Sequence, residues 1–528
     1  MTTSKEAPDA GPPPGDPTPG STGASASAGA APAGSAGIEA GRGALFIGFA
    51  KIYFMFTGSL QRFALPHVIG DAAGFGAFGV VNNLISIVNN TVVQATIPAI
   101  SKFTAEDERQ AEAVKRAGLR MQLVVGGIPA LIFLLGAPLL ARFEKAPDYV
   151  NYFRIAAAIP FLYALYALFV GSANGLRRFR TQASFDVGFS TVKTILLLGL
   201  AVLWSVSGAF MGFAAAAVVI LLFAARTMGV PRLKAHADEP SFSAWRLAGF
   251  MSAMVAYTLL LNLALNYDQP LLRRLAGDAV DATRAGKLAG YYDGLRTVAL
   301  LPYQALLVIT FVVFPLVSRS TFVNDREATR TYVNQTLRYA LMLVAAMGVC
   351  LAARPATLLS IAYPREYGEG ASALPILVLG ECCLAMLAVS CAILNAAGRA
   401  TAAIVLMGVT VGLGVVTAFV LVPQAQPGPA MLMAQATATA IGAGAGFLAV
   451  VVYLRRALGG GLPAMSALRV VLSAAVAAAV GHFLPAHGKL LGLATIVAVG
   501  AIYVAALLAT GELGAADRAK FARILRRR

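Results

Sequence analysis

Charge is what this sequence lacks. Only 13% of its 528 residues are Asp, Glu, Lys or Arg, while 58% are hydrophobic and the mean hydropathy is +0.72. A soluble domain is about 45–50% apolar and about 25% charged. A chain of this size could not cover its apolar surface with so few charges, so a soluble fold is excluded and a polytopic membrane protein is implied. Cysteine is scarce too. Cys350, Cys382, Cys383 and Cys391 all fall inside apolar runs without metal-ligand spacing, and read as small packing residues. The four histidines, His67, His236, His482 and His487, are scattered. No Gly-rich phosphate loop precedes a helix, no nucleophile has a neighbouring base, and no long soluble segment could hold a catalytic fold. The reading is a transporter rather than an enzyme, with no cofactor.

Among the charges present, 42 Lys and Arg outnumber 25 Asp and Glu. No basic patch with interleaved aromatics occurs in a soluble stretch, so nucleic acid is not the partner. The surplus reads as membrane topology and as complementarity to an anionic cargo. Residues 1–42 are a separate object, with 34 of 42 positions Ala, Gly, Pro, Ser or Thr. Such a segment buries too little apolar area to offset its chain entropy and is expected to be a disordered tail. It lacks the basic and apolar regions of a signal peptide.

From Ala44 onward the chain divides into fourteen apolar runs of spanning length, each needing about 20 residues to cross. They lie near 44–64, 77–100, 121–140, 154–174, 184–204, 207–225, 247–267, 290–317, 337–360, 372–396, 400–422, 430–453, 468–484 and 490–510. With the N-terminus inside, the cytoplasmic connections hold 28 Lys and Arg and the external ones 8. That ratio predicts cytoplasmic termini. One external loop opposes the rule, carrying Arg273, Arg274, Arg284 and Lys287. Either a local function holds these bases there or the preceding helix is misplaced. The basic C-terminal run ending in Arg526, Arg527 and Arg528 reads as leaflet-binding.

Two stretches read alike. Gly76 opens a long apolar segment ending in Pro98 and Ser101, then Asp107 to Arg109; Gly290 opens another ending in Pro315 and Ser318, then Asp325 to Glu327. Asn174-Gly175 before Arg177 likewise matches Asn395 before Gly398-Arg399. The pattern predicts two six-helix units, 43–230 and 246–457, joined by a linker at 231–245. Two further helices (458–512) and a basic tail (513–528) follow. An even helix count gives both units the same orientation, a parallel repeat about an axis along the membrane normal, with the substrate path between the halves.

A longer series carries a resemblance. Asn266-Tyr267-Asp268 closes the seventh run, Ala289-Gly290-Tyr291-Tyr292 opens the eighth and Phe314-Pro315 ends it. Leu358 to Pro364, Glu366-Tyr367, Ala371 and Pro375-Ile376-Leu377 follow in order. Over about residues 44–455 the chain resembles the polysaccharide-exporter branch of the multidrug/oligosaccharidyl-lipid/polysaccharide flippase superfamily. The resemblance implies an all-α fold of two six-helix lobes in a bacterial inner membrane. It also implies alternating access, which would carry undecaprenyl-diphosphate-linked sugars for surface polysaccharide. The cargo and membrane lipids are the implied partners, with a polymerase and glycosyltransferases as further ones. Lipid II flippases, the sister group, usually share the two extra helices and the basic first helix, though Leu65 to Gly70 lacks their usual arginine cluster. A cation-coupled drug exporter is the other alternative; it would be expected to have a more acidic, aromatic cavity.

Cargo bearing a diphosphate needs fixed positive charge in a wet cavity. Lys51 and Arg62, eleven positions apart, face the same way within about 20°. Lys193 shares a face with Asp186 and Ser190, and Arg296 stands one turn after Asp293. These four cations, Lys51, Arg62, Lys193 and Arg296, are the expected cargo-binding set. Asn82, Asn89 and Asn90, with Asn83, give the second run a polar face suited to a cavity or to interhelical hydrogen bonds. Asp268, Asp293 and Glu381 are intramembrane carboxylates, each a site for a coupling proton or Na+ or a partner in a salt bridge.

Overall fold

The computed structural model describes residues 33–232, 241–307, 325–484, 488–514 and 517. Every regular element among them is a helix. The first half holds α1 (Ala33–Ile69), α2 (Ala72–Glu106), α3 (Ala111–Leu135), α4 (Ala137–Phe143), α5 (Val150–Ala156), α6 (Ala158–Gly175) and α7 (Phe179–Met228). The second holds α8 (Ala244–Asn266), α9 (Asp268–Ala276), α10 (Ala282–Ala299), α11 (Arg326–Ala353), α12 (Pro355–Ala362), α13 (Leu374–Ala396), α14 (Ala400–Gln424) and α15 (Pro429–Leu458). The last two helices are α16 (Ala464–Phe483) and α17 (Lys489–Ala509).

The protein is therefore an all-α polytopic membrane protein, and each of the fourteen apolar runs coincides with helix in its described part. Ten helices are long and apolar enough to cross, or eleven if the bent pair Ala244–Ser252 and Met254–Asn266 is one span. The tally is below fourteen partly because α7 counts once. Its helix breaks at Trp204 and Ser205, the latter at φ +49. Beyond the break the second leg folds back on the first. A Cβ at Gly208 would overlap the Leu200 carbonyl, and one at Gly212 the Leu196 carbonyl, so two glycines a turn apart let the legs touch backbone to backbone. The latter part of the 290–317 run, with Phe314-Pro315 and Ser318, lies outside the described residues, as does the C-terminal arginine run. Helix α1 starts at Ala33, inside the segment read as tail.

The internal repeat is visible bond for bond in two turns. After α6, Leu176 N–H donates to Ser172 O, Arg177 N–H to Asn174 O and Arg178 N–H to Ala173 O. After α13, Ala397 N–H donates to Ile393 O, Gly398 N–H to Asn395 O and Arg399 N–H to Leu394 O. Both turns end the helix through a left-handed residue, Arg177 at φ +55 and Gly398 at φ +74. This is the helix-ending geometry that glycine favours.

The halves meet where α2 packs on α8 and α10. A Cβ at Gly76 would overlap the Gly286 carbonyl, and a Cβ at Gly290 the Ala72 carbonyl. Residue 76 thus meets 286 as 290 meets 72, the reciprocity a two-fold axis requires. This seam lies near the starts of α2 and α10. That end, where the sequence has few basic connections, is called here the sparse face; the opposite end is the basic face.

Candidate functional site

A cavity of about 380 Å³ opens between the halves beyond this seam. Helix α1 supplies Ser59, Gln61 and Arg62, α2 supplies Asn82, Ser86, Asn89 and Asn90, and α7 supplies Lys193 and Phe213. Tyr163 of α6 and Gln304, just past α10, complete its polar wall. No carboxylate lines it among the described residues.

What holds α1 in place is a row of hydroxyl and amide contacts to α7. Tyr53 Oη pairs with Thr191 Oγ1 at 2.9 Å, Thr57 pairs with Ser190, and Gln61 Nε2 donates to Thr194 Oγ1 at 2.7 Å. Tyr53, Thr57 and Gln61 recur every fourth residue and so form one stripe. With that stripe engaged, the neighbouring faces of α1 and α7 turn toward the cavity. Lys193 then lies over the Phe213 ring, its Nζ 3.9 Å from the centroid. Among the described residues it has no carboxylate within ion-pair distance, so its charge is free to meet a ligand.

Arg62 also reaches the wall, but its charge is shared. Its Nη1 donates to Asp293 Oδ1 at 3.0 Å and its Nη2 to Asn83 Oδ1 at 3.4 Å. Asn83 therefore leaves the polar face of α2, and its amide donates to Gln269 Oε1 at 2.5 Å. Ser59 Oγ donates to Gln304 Oε1 at 3.2 Å. All four contacts but Arg62–Asn83 join the first half to the second. Asp293 stands 3.9 Å from Arg296 Nη1, and Arg296 Nε is 3.1 Å from Asp268 Oδ1.

Two of the four expected cargo-binding cations are thus elsewhere. Lys51 lies off the cavity wall, one turn nearer the basic face than the first α1 residue lining it, with its Nζ 2.9 Å from Asp186 Oδ2. Facing the same way as Arg62 did not put it at the same depth. Arg296 is 1% exposed and enclosed by Asp268 and Asp293, because α9 brings Asp268 closer than its own-helix partner. Glu381 is likewise 1% exposed, and among the described residues its Oε2 has no hydrogen-bond partner. Asp186 is buried while Lys51 is 36% exposed, so removing Lys51 leaves a buried carboxylate without its base, in a pair that solvent already screens. Lys51→Ala is therefore expected to lower thermal stability by about 1 kcal/mol or less, with Lys51→Ala/Asp186→Asn recovering most of it. A melting series checks this, and a double variant as unstable as the single would refute the pairing argument.

Three of the four bases in the loop that opposes the charge rule, Arg273, Arg274 and Arg284, have partners. Arg273 Nη2 reaches the Lys145 and Ala282 carbonyls, both at 3.4 Å, with its guanidinium over the Tyr149 ring. Lys145 pairs with Asp278, Arg274 with the same Asp278 at 2.7 Å, and Arg284 with Glu369 at 2.6 Å. Arg273 and Lys145 seal the sparse face across the two halves, while Arg274 and Arg284 pair within the second half. Beside them Glu144 is fully buried, and among the described residues neither carboxyl oxygen has a partner. Burial pushes its carboxyl up to about 8, against the pull of Arg273 and Arg274. The seal holds the protonated form, so its stability is greatest below the ordinary value of 4.5 and declines as pH rises through about 8. A spin-label distance across the loops should lengthen over that window, and Glu144→Gln should flatten the profile. An unflattened profile would assign the effect to another group.

Comparison with known proteins agrees with this architecture. Residues 40–321 match the family model described as polysaccharide biosynthesis protein. No curated sequence matches. Among solved structures, the lipid II flippase MurJ in an inward closed conformation superposes with a TM-score of 0.69 at 12% identity, covering 89% of this chain and 98% of that one. An inward-facing multidrug resistance MATE transporter of the MOP superfamily gives 0.59 at 16%, covering 76% and 99%. A MOP superfamily transporter from Pyrococcus furiosus, titled for a binding pocket of reverse polarity, gives 0.59 at 16%, covering 79% and 96%. The family model spans more than half of the chain, which therefore belongs to the polysaccharide biosynthesis protein family.

Proposed function

We propose that the protein carries undecaprenyl-diphosphate-linked oligosaccharide repeat units across a bacterial inner membrane, for O-antigen, capsule or exopolysaccharide synthesis. The basic face would be cytoplasmic, with both termini on that side. The observation that carries the reading is the Lys193 cation, which among the described residues has no acid within ion-pair distance, in a cavity walled by amides and by no described carboxylate. Lys193 and the outward edge of Arg62 would take the diphosphate oxygens, because charge-assisted bonds replace lost hydration there. Asn82, Asn89 and Asn90 would hydrogen-bond the first sugars. Parting of the sparse-face seal would then expose the cargo to the outer leaflet. A drug-exporter reading fits less well, since a cationic drug would meet a cation rather than an acid.

The deciding experiment is mass spectrometry of lipid extracts after depletion of the protein. Accumulated undecaprenyl-diphosphate oligosaccharide supports the proposal. Accumulated disaccharide-pentapeptide lipid would instead make the protein a lipid II flippase, the second reading, which the fold likeness to MurJ and the two extra helices favour. If neither lipid rises where no other transporter compensates, the lipid-flippase reading fails.

Coupling would rest on the buried carboxylates. Asp268, Asp293 and Glu381 face Arg62 and Arg296, three acids to two bases. One acid is in excess, and Glu381, without an ion pair within 4 Å among the described residues, is the proposed proton or Na+ carrier. In proteoliposomes Glu381→Gln should keep cargo binding and lose the dependence of transport on the ion gradient. Gradient dependence retained in that variant would discard the assignment.

A further inference from the structure

An aromatic box stands at the sparse-face end of the central cavity, and none of its rings lines that cavity. From the first half come Phe63 of α1 and Phe75, in the first turn of α2. From the second come Tyr291 of α10, Tyr363 after α12, and Tyr367 in the short 3-10 helix Arg365–Ala373. Tyr363 and Tyr367 stack with ring centroids 5.0 Å apart at 17°, and Tyr291 meets Tyr367 edge-on at 5.3 Å. Phe63 packs on Tyr363 at 5.7 Å and Phe75 on Tyr367 at 6.3 Å, so both contacts join the halves. All three tyrosines are buried. They belong to the ordered series running from Ala289 to Leu377, yet the cavity uses none of them.

The backbone makes room for these rings. A Cβ at Gly294 would lie 2.9 Å from Tyr367 Cδ1 and 3.5 Å from Tyr363 Cε2, so a glycine in α10 admits both. Phe63 follows Arg62 in the chain and Gly294 follows Asp293, which ties the box to the ion pair crossing between the halves. The hydroxyls are not provided for in the same way. Among the described residues neither Tyr363 Oη nor Tyr367 Oη has a hydrogen-bond partner. A buried tyrosine hydroxyl ordinarily finds one, and leaving it without one costs stability. Phenylalanine would fill the same space without that cost. Two hydroxyls idle in this closed state call for a role in another.

That other state has the sparse face parted. Phe63 and Phe75 then leave with the first half and uncover a stacked pair of rings with two hydroxyls at the rim. A pyranose ring fits such a surface. Its face of C–H bonds lies flat on an aromatic ring, while the hydroxyls around its edge meet hydrogen-bonding groups. A polyprenyl or acyl chain has no use for the hydroxyls. A diphosphate would seek cations, which the five rings do not offer.

We infer that the box is a second cargo subsite, taking a sugar ring on Tyr363 and Tyr367 once the halves have parted at the sparse face. The inference rests on the proposed function for a sugar-bearing cargo and for the parting of the halves; a lipid II cargo meets both conditions.

Spin labels at Asp148 and Ala279, on the purified full chain in nanodiscs, report the parting. Two probes are compared: the sugar-bearing undecaprenyl diphosphate that accumulates on depletion, and bare undecaprenyl diphosphate. A ligand shifts such an equilibrium only by its unequal affinity for the two states. The sugar-bearing lipid should therefore raise the open population about tenfold more than the bare one, the worth of one or two neutral hydrogen bonds. Tyr363→Phe/Tyr367→Phe keeps the rings and should melt no lower than the unaltered protein. It should erase the difference between the two lipids and keep the response to the bare one. A difference of undiminished size in that variant would overturn the inference and leave the box as packing alone. So would a lower melting temperature, which would show the hydroxyls already bonded in the closed state, or equal responses of the unaltered protein to both lipids. No response to either lipid would instead fail the proposed function, and this subsite with it.

Discussion

Lys193→Ala is expected to abolish translocation of the cargo while the protein remains folded in the membrane. Among the described residues Lys193 has no acid to leave stranded, so its removal does not expose a buried opposite charge there. What is lost is the contact over Phe213, worth about 0.5–2 kcal/mol, and the charge offered to the diphosphate. Charge-assisted hydrogen bonds contribute about 1.5–3 kcal/mol, so cargo affinity should fall roughly tenfold to a hundredfold. Lys193→Arg keeps the charge and should retain measurable transport. Accumulation of lipid-linked repeat units in cells carrying each variant, at matched protein levels, is the readout. Export at the unaltered level in Lys193→Ala would remove the cationic-cavity mechanism.

Gly76→Val should have an effect as large by a different route. The new side chain would overlap the Gly286 carbonyl, part of a backbone that cannot rotate away as a side chain would. Relief requires α2 and α10 to separate. Overpacking costs about 1–3 kcal/mol, which shifts the balance between closed and open sparse face about tenfold to a hundredfold. Gly290→Val strikes the reciprocal contact with Ala72 and should act alike. The double variant should add less than the sum, since both act on one seam. Spin labels at the exposed Asp148 and Ala279 would report the change as a longer distance between the halves. An unchanged distance distribution would show that the glycine seam does not set the closed state.

The same two sites show what the sequence could and could not disclose. The spans were legible because crossing a bilayer demands about 20 apolar residues, a signal that needs no partner to be read. The axis was legible through Gly76 and Gly290, because a duplicated unit repeats its closest contact. The position of Lys193 and three asparagines on the cavity wall was legible because polar residues on one helical face are costly against lipid. Lys51 and Arg296 lie off the cavity wall for one shared reason. Helical spacing fixes direction around an axis, whereas depth and partner depend on the neighbouring helix. Asp186 and Asp268 settle those questions, and each comes from another part of the chain. Short helices such as α4, α9 and α12 fall below any length signal. The stripe of Tyr53, Thr57 and Gln61 was readable by spacing, but hydroxyls back-bond to their own helix so often that the pattern draws no notice.

The contact between Arg62 and Asp293 has a kinetic meaning. It crosses from one half to the other in a region where Asp293 is 1% exposed. Any motion that draws α1 away from α10 takes the partly exposed Arg62 from the buried Asp293 carboxylate, which has little solvent around it, and a bare charge there is costly. Hydration, or a ligand's own polar groups, must arrive as they part. Opening is then a wetting event as much as a mechanical one. An empty carrier should hesitate at the step where a loaded one, bringing phosphate to Arg62 and water to Asp293, passes readily.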